Sequence, residues 1–172
     1  MDTMQNLCTR RSVKKYLPDM PKKADIDKVI EAGLAAASGR NLQASVIVAV
    51  TNKEIRDRLA ADNAAVMGAN TDPFYGAPCV LVVLGSKSAH TYVYDGSLTL
   101  GNMMLAAHEA GLGSCWIHRA KEVMEKPEWV EWIRSLGLEG EYEGIGNLVL
   151  GYRDGDYPAE KERKGGRVVY VD

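Results

Sequence analysis

Cysteine, histidine and phenylalanine are scarce in this chain, and neither sign of charge dominates it. The three cysteines, Cys8, Cys79 and Cys115, stand far apart with no CxxC pair. An odd, dispersed set argues against a disulfide framework and predicts reduced thiols in a cytoplasmic protein. The three histidines, His90, His108 and His118, are 18 and 10 residues apart, so no HxxxH or HExxH spacing offers a metal site. No GxSxG accompanies the serines, and no GxxxxGK[ST] phosphate loop is present. Lysine plus arginine number 21 against 23 acidic residues, a net charge of -2. That balance argues against nucleic-acid binding through bulk charge and against a polybasic membrane contact. The longest apolar run, Val80 to Leu84 with Cys79 before it, is strand-sized and far short of a membrane span. The opening MDTMQNLCTRRSVKKY lacks the apolar centre of a signal peptide.

What is present points to one globular domain over residues 1–172. Hydrophobic residues make up 46% and charged residues 26%, a composition that supports a real core. Ile26, Val29, Ile30, Gly33, Leu34 and Ala37 recur at three and four, which predicts an amphipathic helix. Val46 to Val50, Cys79 to Leu84, Ser114 to Ile117, Ile145 to Leu150 and Val168 to Val171 read as strands. Asn52 caps a helix carrying Ile55 and Leu59, and Gly68 to Pro78 reads as a loop. Tyr92 to Ala110 is helical and almost uncharged, which predicts a central, buried helix stopped by Gly111. On that helix His108 reads as a hydrogen-bonded core histidine. Val123 to Leu136 is helical with a break near Pro127. Strands separated by helices in mixed order predict α+β or α/β layers.

Several segments could carry chemistry, and each has a plain competitor. Arg10, Arg11, Ser12, Lys14 and Lys15 suit a phosphate through guanidinium forks and a hydroxyl, or form a solvated charge run. Lys161, Arg163, Lys164 and Arg167 form a second basic cluster, or an ordinary polar tail. One phosphate held by both clusters would explain two sparse patches in a near-neutral chain. Ser38 to Gln43 offers hydroxyl, amide and backbone groups to a polar heterocycle, or is an Asn/Gly turn. Gly111-Leu112-Gly113 follows a helix and precedes a strand, the reverse of a dinucleotide fingerprint. Cys115 and His118 lie three apart on a strand and point to opposite faces, which argues against a nucleophile pair.

Five segments taken together carry more weight. TRRSVKKY, AASGRNLQ, DPFYGAP, AGLGSCWI and GYRDGDYP with KERK, in that order over nearly the whole chain, resemble the nitroreductase family of FMN-dependent oxidoreductases, its short members in particular. The resemblance implies an α+β fold with a central, mostly antiparallel sheet flanked by helices. It also implies an obligate homodimer with two FMN sites at the interface. By the same resemblance Arg10, Arg11 and Ser12 hold the FMN phosphate, Lys161 and Arg163 close on it, and Lys14 reaches the ribityl chain or the N1/O2 edge. Ser38, Asn41 and Gln43 match the family's Ser-x-x-Asn-x-Gln and would contact the flavin from the partner subunit. Trp116, Ile117 and His118 match the loop that packs on the ring, where a backbone N–H faces N5. The sequence departs from the pattern at Ala44-Ser45, where many members carry Pro-Trp, and at His118, often acidic or small in relatives. The implied activity takes hydride from NADH or NADPH and passes electrons to nitroaromatics, quinones or similar acceptors in ping-pong fashion, with no catalytic side chain. The alternative is a flavin-binding protein that stores or senses flavin without turnover.

Overall fold

The structure, a computed structural model, describes residues 1–172. Helices α1 (Thr3–Thr9) and α2 (Lys23–Leu34) lead through a short 3-10 turn (Gly39–Asn41) to strand β1 (Ser45–Val50). Then follow α3 (Lys53–Met67), β2 (Cys79–Ser86), α4 (Tyr92–Glu109), β3 (Gly113–Ile117), α5 (Ala120–Met124), α6 (Pro127–Ser135) and β4 (Tyr142–Gly151). The strands pair in the order β1-β2-β4-β3, and every pairing is antiparallel. The fold is α+β. No helix is long and apolar enough to cross a membrane.

Local chemistry explains the boundaries. Asn52 caps α3 by accepting from the Ile55 amide at 3.0 Å. Pro127 occupies the first turn of α6, where its missing N–H costs nothing, and so separates α5 from α6. Gly111 takes a φ of +73°, the left-handed turn that ends α4 before β3. β2 is the central strand in burial: Cys79 through Leu84 are all inaccessible, because helices cover both faces of the sheet. Ile26 and Val29 of α2 and Leu100 and Met103 of α4 pack on Leu81, Val83 and Leu148. Leu59, Val123, Met124, Trp129 and Ile133 cover Val80, Val82 and Val149 on the opposite face. The same burial pushes the Cys79 thiol up to about 12, an inert core thiol.

Two sequence expectations need correction. Val168 to Val171 form no strand; they lie 70% to 94% exposed and dock on neither edge of the sheet. Helix α4 is not buried all round: Leu100 and Met103 face the core, while Tyr94 and Leu98 are 72% and 51% exposed. An apolar period records which residues share a face, not whether the chain's own core covers it.

Candidate functional site

The segment after α1 crosses from the free edge of β3 to the chain just past β4. The Val13 amide donates to the Ser114 carbonyl at 3.0 Å, and Leu17 donates to Tyr152 at 2.9 Å. Val13 and Tyr16 are thereby buried, and the residues between and before them turn outward. The strap fits closely, since a Cβ on Gly113 would stand 2.9 Å from the Val13 side chain. Arg10, Arg11, Ser12 and Lys14 therefore border a cleft of about 670 Å³ together with Cys115, Trp116 and Ile117 of β3. The far rim is the C-terminal segment, with Pro158, Lys161 and Arg163. The two basic clusters, some 150 residues apart in sequence, converge on one cleft.

Within the cleft the cations differ in their commitments. Arg11 is bound up structurally: its guanidinium donates to the Cys8 and Arg10 carbonyls at 2.7 and 2.9 Å and pairs with Glu160 at 3.1 Å. Arg10, by contrast, has a buried Nη1 with no partner in the protein. A buried, unpaired guanidinium nitrogen is costly unless an anion meets it. The floor is the open edge of β3. Ser114 points its carbonyl outward to Val13, so the ladder's alternation sends the N–H and C=O of Trp116 to the same side, into the cleft. Gly146 makes room for the Trp116 indole; a Cβ there would stand 2.3 Å from Nε1. Burial raises the Cys115 pKa, against weaker opposing influence from Ser12, Lys14 and Arg10, so this thiol is not poised as a nucleophile.

The remaining predicted residues lie elsewhere. His118 is exposed, outside the cleft lining, and its backbone carbonyl accepts from Asn63 Nδ2 at 2.8 Å. Ser38, Asn41 and Gln43 sit beside the N-terminal end of β1, at the opposite sheet edge from β3. Ser45 lies level with Glu143 of β4, whereas Trp116 lies level with Leu148. Three strand spacings across and five residues along separate the loop from the cleft by on the order of 20 Å. The loop is nonetheless built with care. Arg40, Asn41 and Gln43 all take left-handed backbone, φ +49° to +54°. The buried Asp95 carboxylate holds it by accepting from the Gly39 amide at 3.0 Å and the Thr91 hydroxyl at 2.9 Å. Non-glycine residues in that conformation persist only where surroundings enforce it, and they gather at ligand-contacting segments.

Sequence reasoning missed three contributors: Asp95, Tyr75 and the His108 network. His108 is half-buried rather than a core residue. Thr9 donates to the Gln5 carbonyl at 2.7 Å and so accepts from His108 Nε2–H at 2.9 Å. Tyr157 accepts from the Arg11 amide at 2.6 Å and donates to His108 Nδ1 at 3.1 Å. That network assigns a neutral, Nε2-protonated imidazole, which ties α1, α4, the strap and the C-terminal segment together. Partial burial lowers the His108 pKa from 6.5, Arg10 and Arg11 add to the effect, and Glu109 opposes it. The unfolded chain therefore takes up the proton first. The stability His108 contributes is complete above pH 6.5 and is lost as the pH falls through the lowered folded value. Thermal melts from about pH 7.5 to about pH 5 should show a decline that His108→Gln makes shallower. Parallel curves for the two proteins would refute this.

Fold and cleft define an α+β protein with a groove at one sheet edge lined by cations from both ends of the chain. The chain belongs to the nitroreductase family, whose sequence model matches residues 7–73 and 65–152. It is similar over 100% of both chains to a Bacteroides fragilis nitroreductase crystallised with bound FMN, at 26% identity and a TM-score of 0.87. A nitroreductase with bound FMN from Desulfitobacterium hafniense, 23% identical, shares the fold with a TM-score of 0.87 over 100% of both chains. A Methanothermobacter thermautotrophicus relative, named "Putative NADH dehydrogenase/NAD(P)H nitroreductase", is 28% identical over 120 residues. That match covers 67% of this chain and 60% of the relative's length.

Proposed function

We propose that residues 1–172 form one FMN-binding domain, that the protein works as a homodimer, and that it oxidises NADH or NADPH and reduces nitroaromatics, quinones or similar small acceptors. The convergence of both basic clusters on a cleft floored by the Trp116 edge carries this reading. Bound there, FMN would supply the redox chemistry in a ping-pong cycle, taking hydride from the nicotinamide and passing electrons to the acceptor. The chain supplies position and charge. Arg10 Nη1, the Ser12 hydroxyl and the Lys161 and Arg163 cations suit a phosphate. Arg11 steadies the strap and the C-terminal segment around it. Lys14 suits the electron-rich N1/O2 edge of the ring, and the outward Trp116 N–H suits N5. Ser38, Asn41 and Gln43 suit the flavin of a partner subunit, because their own cleft is out of reach. The exposed apolar residues Leu34, Leu42, Tyr94 and Leu98 support such an interface. The deciding experiment is anaerobic spectroscopy of the purified protein loaded with FMN. We expect a yellow protein that binds about one FMN per subunit and is bleached by NADH or NADPH. A yellow protein that neither nicotinamide bleaches would instead be a flavin store or sensor.

A further inference from the structure

Tyr75 carries a side chain that the backbone at its position does not favour. It lines the cleft beside Lys14, and its φ is +55°, a left-handed value that a bulky side chain rarely adopts. Its neighbours are pinned. The Asp72 carboxylate accepts from the Phe74 amide at 2.8 Å and the Gly76 amide at 2.9 Å. Arg56 pairs with that carboxylate and donates to the Ala77 carbonyl at 2.9 Å. Phe74 and Ala77 are fully buried, while Tyr75 between them projects into the cleft, 37% exposed. Glycine would fit this backbone with less strain, as Gly76 does next door at φ +73°. Lys14 Nζ lies over the tyrosine ring at 5.6 Å from its centroid. Two neighbouring cations are held by carboxylates, Lys15 by Asp154 and Arg11 by Glu160. Lys14 is exposed, on a flexible stem, and the ring face restrains it without neutralising its charge.

We propose that Tyr75 is a positioning residue, whose strained aromatic ring holds the Lys14 ammonium at the cleft so that its full charge favours the reduced cofactor. This rests on the FMN reading above. A carboxylate in the same place would cancel the charge; an aromatic face orients it and leaves it intact. An ammonium near the N1/O2 edge binds the anionic reduced ring more tightly than the oxidised one, and a wandering ammonium loses that preference.

The test is a dye-coupled redox titration of FMN-loaded wild type, Tyr75→Phe, Tyr75→Leu, Tyr75→Gly, Lys14→Met and the Lys14→Met/Tyr75→Leu double variant. Tyr75→Leu and Tyr75→Gly should each lower the preference for reduced FMN about tenfold, roughly 30 mV for a two-electron couple. Tyr75→Phe should keep the wild-type potential. Tyr75→Gly should melt no lower than wild type, because it relieves the left-handed strain, which a structural tyrosine would not allow. In the Lys14→Met background Tyr75→Leu should add no further shift. Wild-type potentials in Leu and Gly, or an undiminished Tyr75→Leu shift without Lys14, would overturn the inference. The titration uses chemical reductant, so a protein that holds FMN but ignores nicotinamides still reports on Tyr75. A wild-type protein that binds no FMN overturns the function and this inference together.

Discussion

Replacing Arg10 by alanine should raise the Kd for FMN about a hundredfold and leave the Kd for riboflavin unchanged. A hydrogen bond to a charged group contributes about 1.5–3 kcal/mol, and removing its donor forfeits that amount. Arg10 is chosen over its neighbour because its Nη1 is buried and unpartnered, whereas Arg11 already holds two carbonyls and Glu160. Arg11→Ala should therefore act through the scaffold, loosening the strap and weakening both ligands. Arg10→Lys should recover only part of the loss, since an ammonium cannot offer a planar fork. Fluorescence titration of each variant with FMN and with riboflavin separates these outcomes. Equal weakening of both ligands by Arg10→Ala would show that this residue shapes the cleft rather than meeting a phosphate. The effect should also shrink at high salt, because Lys161, Arg163 and Ser12 at the rim are exposed.

Much of the framework was legible because one-dimensional signals sufficed for it. The apolar runs around Val46, Val80, Cys115 and Leu148 become the four strands, and Asn52, Gly111 and Pro127 mark helix ends by local chemistry. The nearness of the two basic clusters was legible as an economy of charge, although no local rule brings residue 10 beside residue 163. What stayed hidden depends on sequence separation. Tyr157 meets Arg11 across 146 residues and His108 across 49, and Asp95 meets Gly39 across 56. No period or cap announces such pairs. The strand expected at Val168 to Val171 failed for a related reason: β-branched residues favour pleated neighbours, and this exposed tail docks on neither edge of the sheet. Left-handed backbone at Arg40, Gln43 and Tyr75 was equally silent, because nothing in those residue types asks for it, whereas Asn41 is of a type that tolerates it.

The separation of the Ser38–Gln43 loop from its own cleft leads to the second large effect, a complementation between subunits. If each flavin takes its phosphate from one chain and its loop contacts from the other, Arg10→Ala and Asn41→Ala damage the two halves of a shared site. Each homodimer of variants carries two damaged sites. A mixed dimer places both lesions in one site and leaves the other with an intact Arg10 and an intact Asn41. Half of randomly reassorted dimers are mixed, so about a quarter of all sites should regain wild-type FMN affinity in an isologous twofold dimer. The variants would be mixed under conditions that dissociate and reassociate the subunits, and FMN retention on a desalting column would be compared with that of each parent. If each chain completes its own site, mixing restores nothing, and the fraction stays at the parental value. The geometry argues for restoration. A span of on the order of 20 Å across the sheet cannot be closed by a loop that Asp95 fixes to α4 through the Gly39 amide.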